Sequence, residues 1–169
     1  MAIALRSRVK QPHGEFMERD ESRHAPLSTR FWVSLARAYR LAYRRHTRAL
    51  ARIGVTASQF DVLATLHRAA GDGLRMGEIS ERLLVTEGNV TGLVDRLEGA
   101  GLVERGADPA DRRALRVRLT PVGRAVAERA IPVVEAELER VFSGLAPEEM
   151  RQAQRVLRRA RRSAETDGA

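Results

Sequence analysis

The stretch GEISERLLVTEGNVTGLVDRLEGAG, residues 77–101, limits the fold more than any other. It holds two short apolar patterns of helical period. Ile79, Leu83 and Leu84 mark the first, and Val90, Leu93, Val94 and Leu97 mark the second. Val85–Thr86 interrupts the period between them. Thr86 suits the N-cap of the second helix, where a hydroxyl can accept from an orphan N–H group. Gly99 and Gly101 bracket its stop. A short helix, a tight turn and a second helix with a polar N-terminal face form a helix-turn-helix pattern.

LVER and LRVRLT follow as two strands. In the second, Leu115, Val117 and Leu119 alternate with Arg116 and Arg118. DPADRR, Asp108 to Arg113, joins them into a hairpin with a long tip, and a hairpin directly after a helix-turn-helix is a wing. Upstream, STRFWVSLARAYRLAYRRHTRALARIG is predicted to be one long helix, capped at Ser28 or Thr29 and ended by Gly54. Phe31, Leu35, Ala38, Ala42 and Ala49 share one face, with Trp32, Tyr39 and Tyr43 beside it. The next helix opens on Thr56 and Gln59, a capping box. It turns Phe60, Leu63 and either Leu66 or His67 inward. Downstream, Thr120–Pro121 starts a helix as N-cap and N1. Pro132 is expected to kink it. A last helix begins at Pro147 with Glu148 and Glu149 near its positive end.

The resulting fold class is mainly α with a small β-hairpin wing (α+β). Residues 1–27 are expected to form a flexible tail and 28–54 an N-terminal helix. Residues 55–120 form the winged helix-turn-helix, 121–163 the C-terminal helices, and 164–169 a second tail.

Composition narrows the function classes. The 169 residues carry a net charge of +8 and a pI of about 11.2, which favours a polyanionic partner. Lys10 is the only lysine, and an Arg- and Ala-rich chain also arises in a GC-rich genome, so charge alone does not decide the matter. The absence of cysteine excludes disulfides, thiol redox sensing and Cys-ligated zinc. The four histidines show no metal-ligand spacing, so neither metal nor cofactor is expected. No apolar run approaches the ~18 residues of a membrane span. MAIALRSRVK lacks the apolar segment of a signal peptide, so the expected location is cytoplasmic. No Ser/His/Asp arrangement or glycine-rich phosphate loop indicates an enzyme. GAGLVERG runs from helix to strand, the reverse of a dinucleotide-binding loop.

LLVTEGNVTGLVDRLEGAGLVER, then D-P-x-D-R-R, then V-R-L-T-P-x-G-R resembles the MarR-type winged helix-turn-helix regulators. The resemblance extends over about residues 28–162. It implies a homodimer held by the N- and C-terminal helices, a transcription regulator acting as a repressor, and double-stranded DNA as partner. It also implies Arg113 of Asp111-x-Arg113 in a minor groove and Asp111 as a structural residue that holds the arginine or caps the turn. Arg112 then contacts phosphate or braces the fold. Narrow A/T-rich grooves concentrate negative potential and favour arginine.

The residues of the second helix support the same expectation. With Val90, Leu93, Val94 and Leu97 turned inward, Glu87, Gly88, Asn89, Thr91, Gly92 and Asp95 face solvent. Asn89 can pair bidentately with adenine, and Thr91 can meet a thymine methyl or a phosphate. Thr86 and the nearby N–H groups suit a phosphate. Arg96 is assigned to the DNA backbone or to an internal acid. Relatives often carry a basic residue where Gly92 and Glu87 stand. Glu87 can accept from cytosine N4 but repels phosphate, which shifts weight to the wing. A symmetric dimer would present two reading helices about one DNA turn apart, so the site should be a pseudo-palindrome. Arg37–Arg52 and Arg151–Arg162 must then face water or meet Glu128, Glu135, Glu137 and Glu139.

MarR-like proteins often bind small aromatic or phenolic acids, and Trp32, Tyr39, Asp61 and His67 are the candidates here. Trp32 and Asp61 resemble a urate-responsive branch, whose reading-helix arginine is not found near Gly92. The cysteine-based peroxide branch is excluded. The alternative function is a winged-helix adapter that binds protein, which would have no need of Asp111-x-Arg113 or an open polar face at Asn89.

Overall fold

The computed structural model describes residues 25–69, 73–109, 111 and 114–166. Arg112, Arg113 and the segments 1–24 and 167–169 lie outside the described residues, so the wing-tip arginines and most of the expected N-terminal tail do too.

Nine elements occur in the order α1 (Leu27–Ala51), α2 (Ala57–Arg68), β1 (Leu74–Arg75), α3 (Met76–Leu83), α4 (Glu87–Gly99), β2 (Val103–Ala107), β3 (Leu115–Leu119), α5 (Pro121–Phe142) and α6 (Pro147–Thr166) among the described residues. The chain divides into two compact units, one ending at Leu41 and the other starting at Ala42. In the first, α1 opens with the Arg30 N–H donating to the Pro26 carbonyl at 3.1 Å. Phe31, Trp32 and Tyr39 are exposed along it.

In the second unit the capping box forms as its sequence predicts. The Gln59 N–H donates to Thr56 Oγ1 at 3.2 Å, and the Thr56 N–H donates to Gln59 Oε1 at 2.9 Å. Phe60, Leu63 and Leu66 are buried, and His67 is only partly covered, which resolves the choice between Leu66 and His67. α5 runs unbroken through Pro132. α6 continues to Thr166, three residues past the boundary expected at 163.

The sheet has three antiparallel strands in the order β1-β3-β2. β1 was not legible in the sequence: two residues cannot display an alternation. Leu74 pairs with Val117 and Arg75 with Arg116; Val103 pairs with Leu119 and Ala107 with Leu115. Val117 is fully buried, but Leu115 is half exposed, because the ladder has left the core by that point. Gly73 permits the approach of β1: its φ is +74°, and a Cβ there would lie 2.4 Å from the Val117 carbonyl oxygen.

The core is built mainly from aliphatic residues. Val62, Leu63, Ile79, Val90, Val94, Leu97, Val103 and Val117 close the helix-turn-helix onto the sheet, with Ala127 of α5 among them. A second cluster joins Leu50, Phe60, Ala64, Ala130 and Val134. Glu137, buried in α5, accepts from Arg45 Nε at 2.6 Å and Arg140 Nη1 at 3.0 Å. Arg45 is the main reason that the Glu137 carboxyl titrates below its ordinary value.

Candidate nucleic-acid interface

The turn between α3 and α4 sets how the reading helix is presented. α3 ends at Leu84, which has φ 55° and ψ 42° in the left-handed region. The Leu84 N–H donates to Glu81 and the Val85 N–H to Ser80, closing the helix end in a Schellman-type arrangement. Thr86 then takes the extended N-cap conformation. Its hydroxyl makes no capping bond, so that group stays available to a partner.

Val90, Val94 and Leu97 are fully buried, which fixes the roll of α4 and leaves Glu87, Gly88, Asn89 and Thr91 exposed. Thr91 Oγ1 donates to the Glu87 carbonyl at 3.0 Å, so its methyl and lone pairs face outward. Glu87 leans away from the open face. Its Oε1 would lie 3.3 Å from a Cβ on Gly77, in the first turn of α3, where free N–H groups favour negative charge. Arg96 pairs with no acid among the described residues, contrary to one of its two expected roles. Its Nη1 would lie 3.7 Å from a Cβ on Gly92, so the guanidinium lies back along the helix over that glycine. Positive charge therefore stands beside the position expected to lack it. Asp95 faces solvent as expected and accepts from Arg105 Nη2 at 2.5 Å, and Glu98 accepts from Arg105 Nη1. These bonds tie the C-terminal half of α4 to β2.

The root of the wing is closed by residues that the sequence did not single out. Asp108 is the first residue of the DPADRR tip, yet its carboxylate is fully buried. Oδ2 accepts from Arg75 Nε at 2.6 Å and from Arg116 Nε at 2.8 Å. Arg116 Nη1 also donates to the Gly73 carbonyl at 2.9 Å. The Asp108 N–H donates to Ala114, and the Ala114 N–H donates to Asp111. Asp111 is exposed, and its N–H donates to the Asp108 carbonyl at 3.2 Å. The one hint in the sequence was Arg116, a charged residue in a strand of which the partner acid was not evident.

A winged helix-turn-helix with an open polar reading face invites comparison with known regulators. The MarR family signature matches residues 53–114. The HTH-type transcriptional repressor MdtR of Bacillus subtilis strain 168 is 37% identical over 114 residues, 68% of this chain and 72% of its own. The chain belongs to the MarR family.

Solved MarR-family structures share its fold. CouR from Rhodococcus jostii RHA1, bound to p-coumaroyl-CoA, has a TM-score of 0.71 and 28% identity, covering 78% of this chain and 92% of its own. A MarR variant from E. coli in complex with operator DNA has a TM-score of 0.70 and 25% identity, covering 80% and 99%.

Behind the reading helix of this MarR-family chain lies a cavity of about 310 Å³, lined by Ser58, Asp61, Leu83, Val85, Asn89, Val90, Leu93 and Arg96. Burial raises the Asp61 carboxyl above its ordinary value, and the charge of His46 partly offsets that. His67 does not line this cavity; its Nε2 lies 3.8 Å from Glu128. Trp32 and Tyr39 are exposed on α1. Among the described residues no cluster could hold a metal, and no helix is long and apolar enough to cross a membrane.

Proposed function

We propose that the chain is a cytoplasmic homodimeric repressor that binds a pseudo-palindromic site in double-stranded DNA and leaves it when a small aromatic or phenolic compound binds. The observation that carries this reading is the open N-terminal face of α4 beside the hairpin. Asn89 and Thr91 read base edges, Thr86 and the free N–H groups of Glu87 and Gly88 receive a phosphate, and Arg96 over Gly92 supplies positive charge. Arg113 enters the adjacent minor groove and Arg112 takes a phosphate. MdtR is a repressor, and the E. coli MarR variant holds operator DNA, which supports carrying these roles over.

The dimer is assigned to the terminal helices. Phe142, Leu145, Met150 and Leu157 line an open groove at the end of α5 and along α6, and all are exposed in the single chain. The compound is assigned to the cavity behind α4, by analogy with CouR, which binds p-coumaroyl-CoA. Asn89 and Arg96 belong both to that cavity and to the reading helix. An occupant that engages them removes them from the groove, so binding of compound and DNA is coupled in both directions.

The test is selection of bound fragments from genomic DNA, then affinity against salt concentration. Counterion release makes log K fall linearly with log salt, by about 0.9 per neutralised phosphate. A flat response would sink the reading and favour a protein-binding adapter. Failure of any aromatic acid to release the DNA would leave a constitutive regulator.

A further inference from the structure

We infer that Asp108 is the positioning residue that sets the wing against the helix-turn-helix, so that reading helix and wing engage DNA together. The inference rests on the DNA-binding reading above and extends it to a residue that does not touch DNA.

One buried carboxylate oxygen holds two arginines from different parts of the domain. Arg75 is the N-cap of α3, and its own N–H donates to Glu78 Oε2 at 2.7 Å. Its side chain therefore links the first helix of the helix-turn-helix to the wing. Arg116 lies on β3, beyond the wing tip, and also grips the Gly73 carbonyl ahead of β1. Asp108 itself directly follows β2, and its N–H closes the hairpin onto Ala114. A buried carboxylate without partners would be strongly disfavoured, and with two guanidinium donors the geometry is directional. Removing the charge leaves the two guanidinium groups a neutral acceptor at best, with an NH2 donor beside it in the asparagine variant. The hairpin then keeps its β2–β3 ladder and its pairing with β1, but beyond the Arg75–Arg116 pair it loses the charged side-chain tie to the start of α3. The wing is a two-stranded arm, and a small rotation at its root is amplified at the tip, where residues 112 and 113 must meet a groove.

The test is a mutant cycle on operator binding by the full-length protein. Asp108→Asn preserves size and removes charge, and is expected to weaken binding about tenfold, the scale of one lost specific contact. Arg113→Ala is expected to weaken it as well. The double variant should bind no more weakly than Arg113→Ala alone, since Asp108 acts through the wing. Losses that add in the double variant would overturn the proposal, because Asp108 would then act on the reading helix or on the fold as a whole. Parent-like binding by Asp108→Asn would overturn it too. Parent-like binding by Arg113→Ala would instead overturn the wing reading on which it stands. If Asp108→Asn does not fold, Arg75→Gln takes its place in the same cycle. Arg75 is partly exposed, and Asp108 keeps Arg116 in that variant.

Discussion

Gly123 lies against the carbonyl of Leu102 so closely that a Cβ on it would fall 1.8 Å from that oxygen. The contact joins the start of α5 to the strand side of the reading helix. Around it, the Thr120 N–H donates to Leu102, Thr120 Oγ1 donates to Gly101 at 2.7 Å, and the Gly123 N–H donates back to Thr120 Oγ1 at 3.0 Å. The L-T-P-x-G order thus has a steric cause. Gly123→Ala is expected to destabilise the fold by about 3 kcal/mol or more, because the obstacle is backbone and cannot rotate away. Urea unfolding of the purified variant checks this, and a cost below about 1 kcal/mol would mean that the helix start shifts freely.

Leu84 presents the opposite case. It adopts the left-handed conformation and is 80% exposed, so it carries backbone strain with little packing in return. Leu84→Gly is expected to raise stability by about 0.5–1 kcal/mol, the relief of strain exceeding the added chain entropy of glycine. The measurement is the urea midpoint at unchanged slope. A loss of stability would show that the exposed leucine is packed by a partner.

Two carboxylates predict pH effects of opposite sign. The Glu137 carboxyl is held low by Arg45 and Arg140, so its contribution is present above the ordinary carboxylate value and is lost as pH falls through the folded value. Glu137→Gln should destabilise the protein at pH 7 and little at the acid end. The Asp61 carboxyl is raised by burial, so its ionisation costs stability as pH rises from the ordinary value through the folded one. Asp61→Asn should therefore stabilise the protein at pH 7, with the gain gone below about pH 4. Chemical denaturation of both variants across pH decides, and parallel profiles would refute the assignment.

Asn89 is exposed on α4, where no other reading-helix residue can offer both a donor and an acceptor to adenine. Asn89→Ala is expected to cost about 1–3 kcal/mol on the selected site and to relax preference at one base position per half-site. The salt slope should stay unchanged, since no phosphate contact is removed. A uniform loss across all sequences would move Asn89 to the backbone.

Much of the scaffold was readable from local pattern. The apolar period of α4, the Thr56–Gln59 box and the Thr120–Pro121 start are signals within a few residues, and each forms as expected. In α3 Ile79 is buried as its period predicts, but Leu84, counted in the same period, is the left-handed cap beyond the helix and is exposed. The interface was read less completely. Asp108 looked like a turn residue because Asp-Pro commonly opens turns. Its burial depends on Arg75, 33 residues away, and on Arg116 across the hairpin. Arg96 read as a backbone contact or an internal partner, while its course over Gly92 depends on the side chain that glycine lacks.

The sequence by itself determined the longer helices and the two strands of the hairpin, and which face of α4 must be buried, because periodicity and capping act between near neighbours; it missed β1 and placed the cap of α1 at Ser28 or Thr29, where the helix has already begun at Leu27. Only the tertiary structure decided what becomes of the charges. Whether Glu87 meets DNA or the start of α3, and whether Asp108 is a solvated turn or a buried clamp, depends on groups brought together by folding, since an ion pair takes its geometry and dielectric surroundings from the whole packed domain.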